Sequence, residues 1–126
     1  MFTFTKETND NIDVEDYQHE QIHFWQWLET TLLMLILVCF LAYFELISWW
    51  CTSLSIFIFY VLYGLEWLCK FIILYIIKTK TNVSFIDIAY YNISSEIEAF
   101  TNANDTDYFK RRISFNWLKN IFTLKY

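Results

Sequence analysis

The chain contains no proline and one glycine, Gly64, so it has no glycine-rich loop to cradle a phosphate and no strained turn to present a nucleophile. Only two arginines and four alanines occur in 126 residues. Three cysteines, Cys39, Cys51 and Cys69, lie in or beside apolar segments without C-x-x-C spacing, which excludes a thiolate zinc knuckle and a disulfide framework and reads as free thiols. Charge is missing where a soluble core would need it. Between Trp27 and Ile77 the charged side chains are Glu29, Glu45, Glu66 and Lys70, and the stretch from residue 46 to 65 has none.

What fills the space is apolar and aromatic. Hydrophobic residues make up 56% of the chain and aromatics 22%, well above the usage of soluble domains, so the expected solvent is lipid. Residues with AT-rich codons (Phe, Tyr, Met, Ile, Asn, Lys) far outnumber Gly, Ala, Arg and Pro, which points to an AT-rich gene. Six tryptophans sit awkwardly in such a gene unless UGA also encodes Trp, as in many mitochondria; interfacial anchoring is the other explanation for their number. Residues 1–23 carry Glu7, Asp10, Asp13, Glu15, Asp16 and Glu20 against Lys6, the opposite of an Arg-rich presequence, as expected of an organelle-encoded protein.

The expected fold is all-α: a two-span transmembrane helical hairpin with amphipathic C-terminal helices. Residues 1–23 form an acidic polar tail. Residues 27–50 and 54–77 form the spans, each long enough for a hydrocarbon core of about 30 Å at helical rise. Trp25, Trp27, Trp49 and Trp50 flank the first as interfacial anchors, and the uncharged Cys51-Thr52-Ser53 is the expected turn. Lys78 and Lys80 hold the end of the second span on the side of synthesis, which places both termini in the matrix if the membrane is the mitochondrial inner one. Residues 83–126 form an amphipathic, partly basic tail. In it Ile86, Tyr90, Ile93, Ile97 and Phe100 recur at helical spacing, with Asp87, Ser94 and Glu98 elsewhere on the wheel, and this reads as a surface helix. Farther on, Lys110, Arg111, Arg112 and Lys119 line one side of a last helix that suits anionic lipid such as cardiolipin, or a partner subunit.

Three groups of residues carry chemistry. Glu66 and Lys70, one turn apart in the favourable order, read as a self-neutralising pair that docks the helix or, less simply, as a proton-path carboxylate. Glu45 has no basic neighbour in its segment and must face water, a cavity or a partner. Residues 19–23, HEQIH, match the H-E-x-x-H pattern in which His19 and His23 would bind zinc and Glu20 would act as base. A zinc site needs a third protein ligand. There is no third histidine, and Glu29 and Glu45 are drawn toward lipid, so the motif reads as a polar helix turn and a zinc metalloprotease is the remote alternative. No cofactor and no nucleic acid is implied.

In style, FYVLYGLEWLCKFIILYII and the scarcity of Gly and Pro resemble the small aromatic-rich membrane proteins encoded by ciliate mitochondrial genomes, many of them respiratory-complex subunits. The chain is similar to the small glutamate-bearing membrane subunit of NADH dehydrogenase (complex I) in placing carboxylates, Glu45 and Glu66, on successive membrane helices, although that family has three spans. It also resembles the two-helix anchor of cytochrome oxidase's copper subunit, without the copper domain. The resemblance implies a structural subunit of a large inner-membrane complex, with complex I ahead of cytochrome oxidase and ATP synthase, and other membrane subunits as partners.

Overall fold

A computed structural model describes residues 4–77 and 84–124, with side chains from Val14 onward. Lys78 and Lys80, on which the expected orientation rests, lie outside the described residues, as do the side chains of Glu7, Asp10 and Asp13. The described residues are helical with no strand: α1 Phe4–Tyr43, a 3-10 helix Trp49–Phe57, α2 Ile58–Ile77, α3 Phe85–Tyr91, α4 Ser94–Asn102, α5 Tyr108–Arg111 and a second 3-10 helix Asn116–Asn120.

With no Gly or Pro to break it, α1 runs unbroken through the acidic tail and the first apolar segment. Its 40 residues reach about 60 Å, twice a hydrocarbon core. The apolar half is followed by a tight reversal and then by an apolar helix of 29 residues, 3-10 in its first part, Trp49–Ile77. Both helices are long and apolar enough to cross a membrane, and only 11% of the apolar window of each is buried. A core helix of a soluble protein would be mostly buried, so these helices present apolar side chains outward, as membrane helices do. They run antiparallel as a hairpin, tied where the Trp27 indole Nε1 donates to the Ile56 carbonyl at 3.0 Å.

The reversal is not at Cys51-Thr52-Ser53. It lies at residues 44–48, where the Leu46 N–H bonds back to the Leu41 carbonyl and the Glu45 N–H to the Ala42 carbonyl, both at 3.0 Å. This is a Schellman motif, with Glu45 at φ 58° in the position glycine usually takes. Glu45 is therefore exposed in the hairpin turn rather than inside a spanning helix. Residues 51–53 belong instead to the 3-10 helix, braced by Thr52 Oγ1 to the Trp49 carbonyl and Ser53 Oγ to the Trp50 carbonyl. Relief of the left-handed conformation should make Glu45→Gly more stable by roughly 1 kcal/mol and Glu45→Val less stable. Thermal melts of both variants in one detergent would show it, and equal melting temperatures would contradict the strain.

The C-terminal part is not a surface helix followed by a basic amphipathic one. The first splits at Asn92 and Ile93 into α3 and α4, and the second breaks into α5 and a 3-10 turn after Phe115, another non-glycine residue with positive φ (59°). Helix α3 covers the far end of α2 through Leu74, Ile88 and Ala89. Helix α4 wedges into the open end of the hairpin, and every residue from Asn92 to Ala99 is buried. Its polar side faces inward, against polar groups of α1 and α2.

Candidate metal centre in a buried polar junction

Along α1 a polar stripe, His19, His23, Gln26 and Thr30, recurs at three or four residues and therefore shares one face. In an apolar helix such a face has to meet protein. It meets α4. The Gln26 amide donates to the Ser95 carbonyl at 3.1 Å and to Glu98 Oε2 at 3.0 Å. Gln18, with its amide oriented to suit its neighbours, donates to the carbonyls of Ala103 and Asp105.

Two ionic knots hold the junction. In the first, Arg112 is 6% exposed and bridges Glu29 to the fully buried Glu98, its Nε donating to Glu98 Oε1 at 2.8 Å. Glu98 also accepts from the Tyr108 hydroxyl at 2.6 Å, and burial together with that carboxylate pushes the Tyr108 phenol up to about 12. Glu29 accepts in addition the N–H of Phe115 at 2.9 Å, so the left-handed backbone at Phe115 aims a donor at a buried carboxylate. Arg112 is thus spent inside the chain rather than on lipid. Lys110 and Arg111 are exposed and pair locally with Asp107 and Asp105, and Lys119 is exposed.

In the second knot the expected Glu66 to Lys70 pair forms at 2.7 Å. Glu66 also accepts from the Ser94 N–H at 2.8 Å and the Ser94 hydroxyl at 2.6 Å, so it caps the N-terminus of α4 from another helix. Lys70, 4% exposed, donates to the Asn92 carbonyl as well. Glu45, in the turn, does not join this junction.

The remaining cluster answers the question raised by HEQIH. His19 and His23 point their Nε2 atoms at each other, 3.1 Å apart. Glu96 from α4 reaches the same spot, Oε1 3.2 Å from His23 Nε2 and Oε2 3.4 Å from His19 Nε2. Glu96 is the third donor that neither Glu29 nor Glu45 supplies. Among the described residues these three side chains are the group of His, Cys, Asp or Glu whose donor atoms converge closely enough to hold one metal ion, all within 4.8 Å. Burial pushes the Glu96 carboxyl up, but His23, Tyr63 and His19 outweigh it, so it lies below the usual range and is ionised at neutral pH. Tyr63 donates its hydroxyl to Glu96 Oε1 at 2.8 Å and so supports it from α2.

A cleft of about 540 Å³ adjoins the cluster, with Glu20, His23, Phe24, Trp27, Tyr63 and Glu96 on its walls. Glu20 is exposed at this cleft, one residue from His19. The signal for Glu96 in the sequence was SSEIE, two carboxylates and two serines inside an otherwise apolar segment, opposite a polar stripe on α1. No protein-family model, curated protein or solved structure matches the chain.

Proposed function

We propose that the chain is a small integral-membrane subunit of an energy-converting complex of the mitochondrial inner membrane, with NADH:ubiquinone oxidoreductase (complex I) as the first assignment and a mainly structural role. The observation that carries the membrane part is the apolar hairpin whose sides are exposed: Leu33, Ile36, Phe40, Ile56 and Val61 each leave about half or more of their surface uncovered. From Trp27 to Tyr43 the helix rises about 24 Å, with Glu29 as its one charged residue and with Trp27 at one end and Tyr43 at the other, as interfacial anchors stand. In this reading both termini face the matrix and the Glu45 turn reaches the opposite surface. The organelle assignment rests on the AT-biased composition and on the resemblance to ciliate mitochondrial membrane proteins.

A structural role fits the chemistry of Glu66. Its carboxylate is engaged by the Lys70 ammonium, the Ser94 N–H and the Ser94 hydroxyl, contacts that tie α2 to α4. The basic residues Lys110, Arg111 and Lys119 remain exposed for anionic lipid or a neighbouring subunit.

Extraction of the native membrane in mild detergent, native gel separation and mass spectrometry of each band test the assignment. Co-migration with NADH dehydrogenase activity is the expected result. Migration with cytochrome oxidase or ATP synthase would reassign the complex, and a free small species would end the subunit reading.

A further inference from the structure

We propose that His19, His23 and Glu96 bind one divalent transition-metal ion, zinc by their chemistry, at the mouth of the hairpin. This is independent of which complex the chain joins. The first support is distance. Zinc held by imidazole nitrogen or carboxylate oxygen at about 2.0–2.2 Å sets neighbouring donors of a tetrahedron about 3.3–3.5 Å apart. Here the two Nε2 atoms lie 3.1 Å apart, and the Glu96 carboxylate sets Oε1 3.2 Å from His23 Nε2 and Oε2 3.4 Å from His19 Nε2, with one donor atom from each residue all within 4.8 Å. A single ion can touch all three.

The second support is the state of the donors. The Gln26 Nε2 is committed to Ser95 and Glu98, which leaves its Oε1 to accept from His23 Nδ1 at 2.8 Å. That bond places the His23 proton on Nδ1 and turns the Nε2 lone pair toward His19 and Glu96, the second-sphere arrangement that orients metal-binding histidines. Two imidazole nitrogens meeting at 3.1 Å share either a proton, as in an N–H···N bond between neutral rings, or a metal ion. Glu96 decides between the two. It is 3% exposed, and its Oε2 is buried without a hydrogen-bond partner, 3.4 Å from His19 Nε2. A proton shared by the imidazoles leaves that oxygen unsatisfied, which is costly, whereas an ion takes it as a ligand.

Two nitrogens and one oxygen suit zinc better than magnesium or calcium, which prefer all-oxygen shells. Three protein donors leave a fourth position, and the adjoining cleft gives water access to it. The ion also joins α1 to α4, elements that the chain brings together from distant positions.

The full chain, purified in detergent and stripped with a chelator, is dialysed against zinc or cobalt(II) and its bound metal measured. One ion per chain is expected, with the visible absorption of four-coordinate cobalt in the cobalt form. His23→Ala and Glu96→Gln should each weaken binding by more than roughly 100-fold, and Gln26→Leu, which touches no metal, by roughly 10–100-fold. Glu20→Gln should leave it unchanged. Helical content by circular dichroism shows that each variant is folded, and the wild-type stoichiometry stands without them. Metal well below one ion per chain in the wild type would mean a shared proton and overturn the proposal. Equal binding by wild type and folded Glu96→Gln would overturn it as well.

Discussion

Arg112→Ala should be the most damaging substitution in the chain, costing about 3–5 kcal/mol, a large fraction of the stability of an ordinary small domain. The reason is what it leaves behind. Glu98 is fully buried and Glu29 nearly so, and both depend on the one guanidinium for countercharge. Arg112→Lys should recover only part of the loss, because an ammonium cannot reproduce a planar fork that donates to two carboxylates at once. The exposed pairs of Lys110 and Arg111 supply the control. Lys110→Ala and Arg111→Ala should each change stability by no more than about 1 kcal/mol. Thermal unfolding in detergent, followed by tryptophan fluorescence, would rank the four. If Arg112→Ala melts with Arg111→Ala, the ionic knot does not hold the junction.

Glu66→Gln should have the next largest effect and should act on assembly rather than on turnover. The amide keeps the shape but removes the countercharge of Lys70, which is buried with its ammonium against Glu66 and the Asn92 carbonyl. It also weakens the cap on α4, since a neutral acceptor binds the Ser94 N–H less strongly than a carboxylate does. A loss of about 2–4 kcal/mol follows, less than deleting a partner outright because hydrogen bonds to the amide remain. The double variant Glu66→Gln, Lys70→Met should regain stability, since it removes the stranded charge. In the native complex, reduced incorporation with normal turnover of the complexes that do form is expected. Normal incorporation with proton pumping lost would place Glu66 on a proton path instead.

Much of this architecture was readable in the residues, and the parts that were not have definite causes. The two apolar helices follow from the scarcity of charge between Trp27 and Ile77, and the Glu66 to Lys70 pair from its spacing. The turn does not lie at the polar, uncharged Cys51-Thr52-Ser53, because the chain reverses on a glutamate in a left-handed conformation that nothing local to Glu45 announces. Helix α4 buries its polar face together with Ile93 and Ile97, where a surface helix would expose it. The rule that polar residues face out assumes water outside, and here Ser94, Ser95, Glu96 and Glu98 are buried while Phe100 is exposed. The same burial hid the third metal donor. His19 and His23 can be paired from local spacing, but Glu96 becomes their neighbour only through the tertiary fold.

The polar junction also dictates an order of events during synthesis. Its bonds join residues far apart in the chain: Gln26 to Ser95 spans 69 positions, Arg112 to Glu29 spans 83 and Phe115 to Glu29 spans 86. A chain made from its N-terminus presents both apolar helices to the bilayer before Arg112 or Phe115 exists. The hairpin therefore inserts with its mouth open and Glu29 unpaired, and loop-closure entropy makes the final docking slow compared with helix formation. The knot of Glu66, Lys70 and Ser94 can form earlier, but the clasp of Glu29 and Glu98 waits on Arg112 and acts as a checkpoint: a chain halted before that residue has both apolar helices and lacks this clasp.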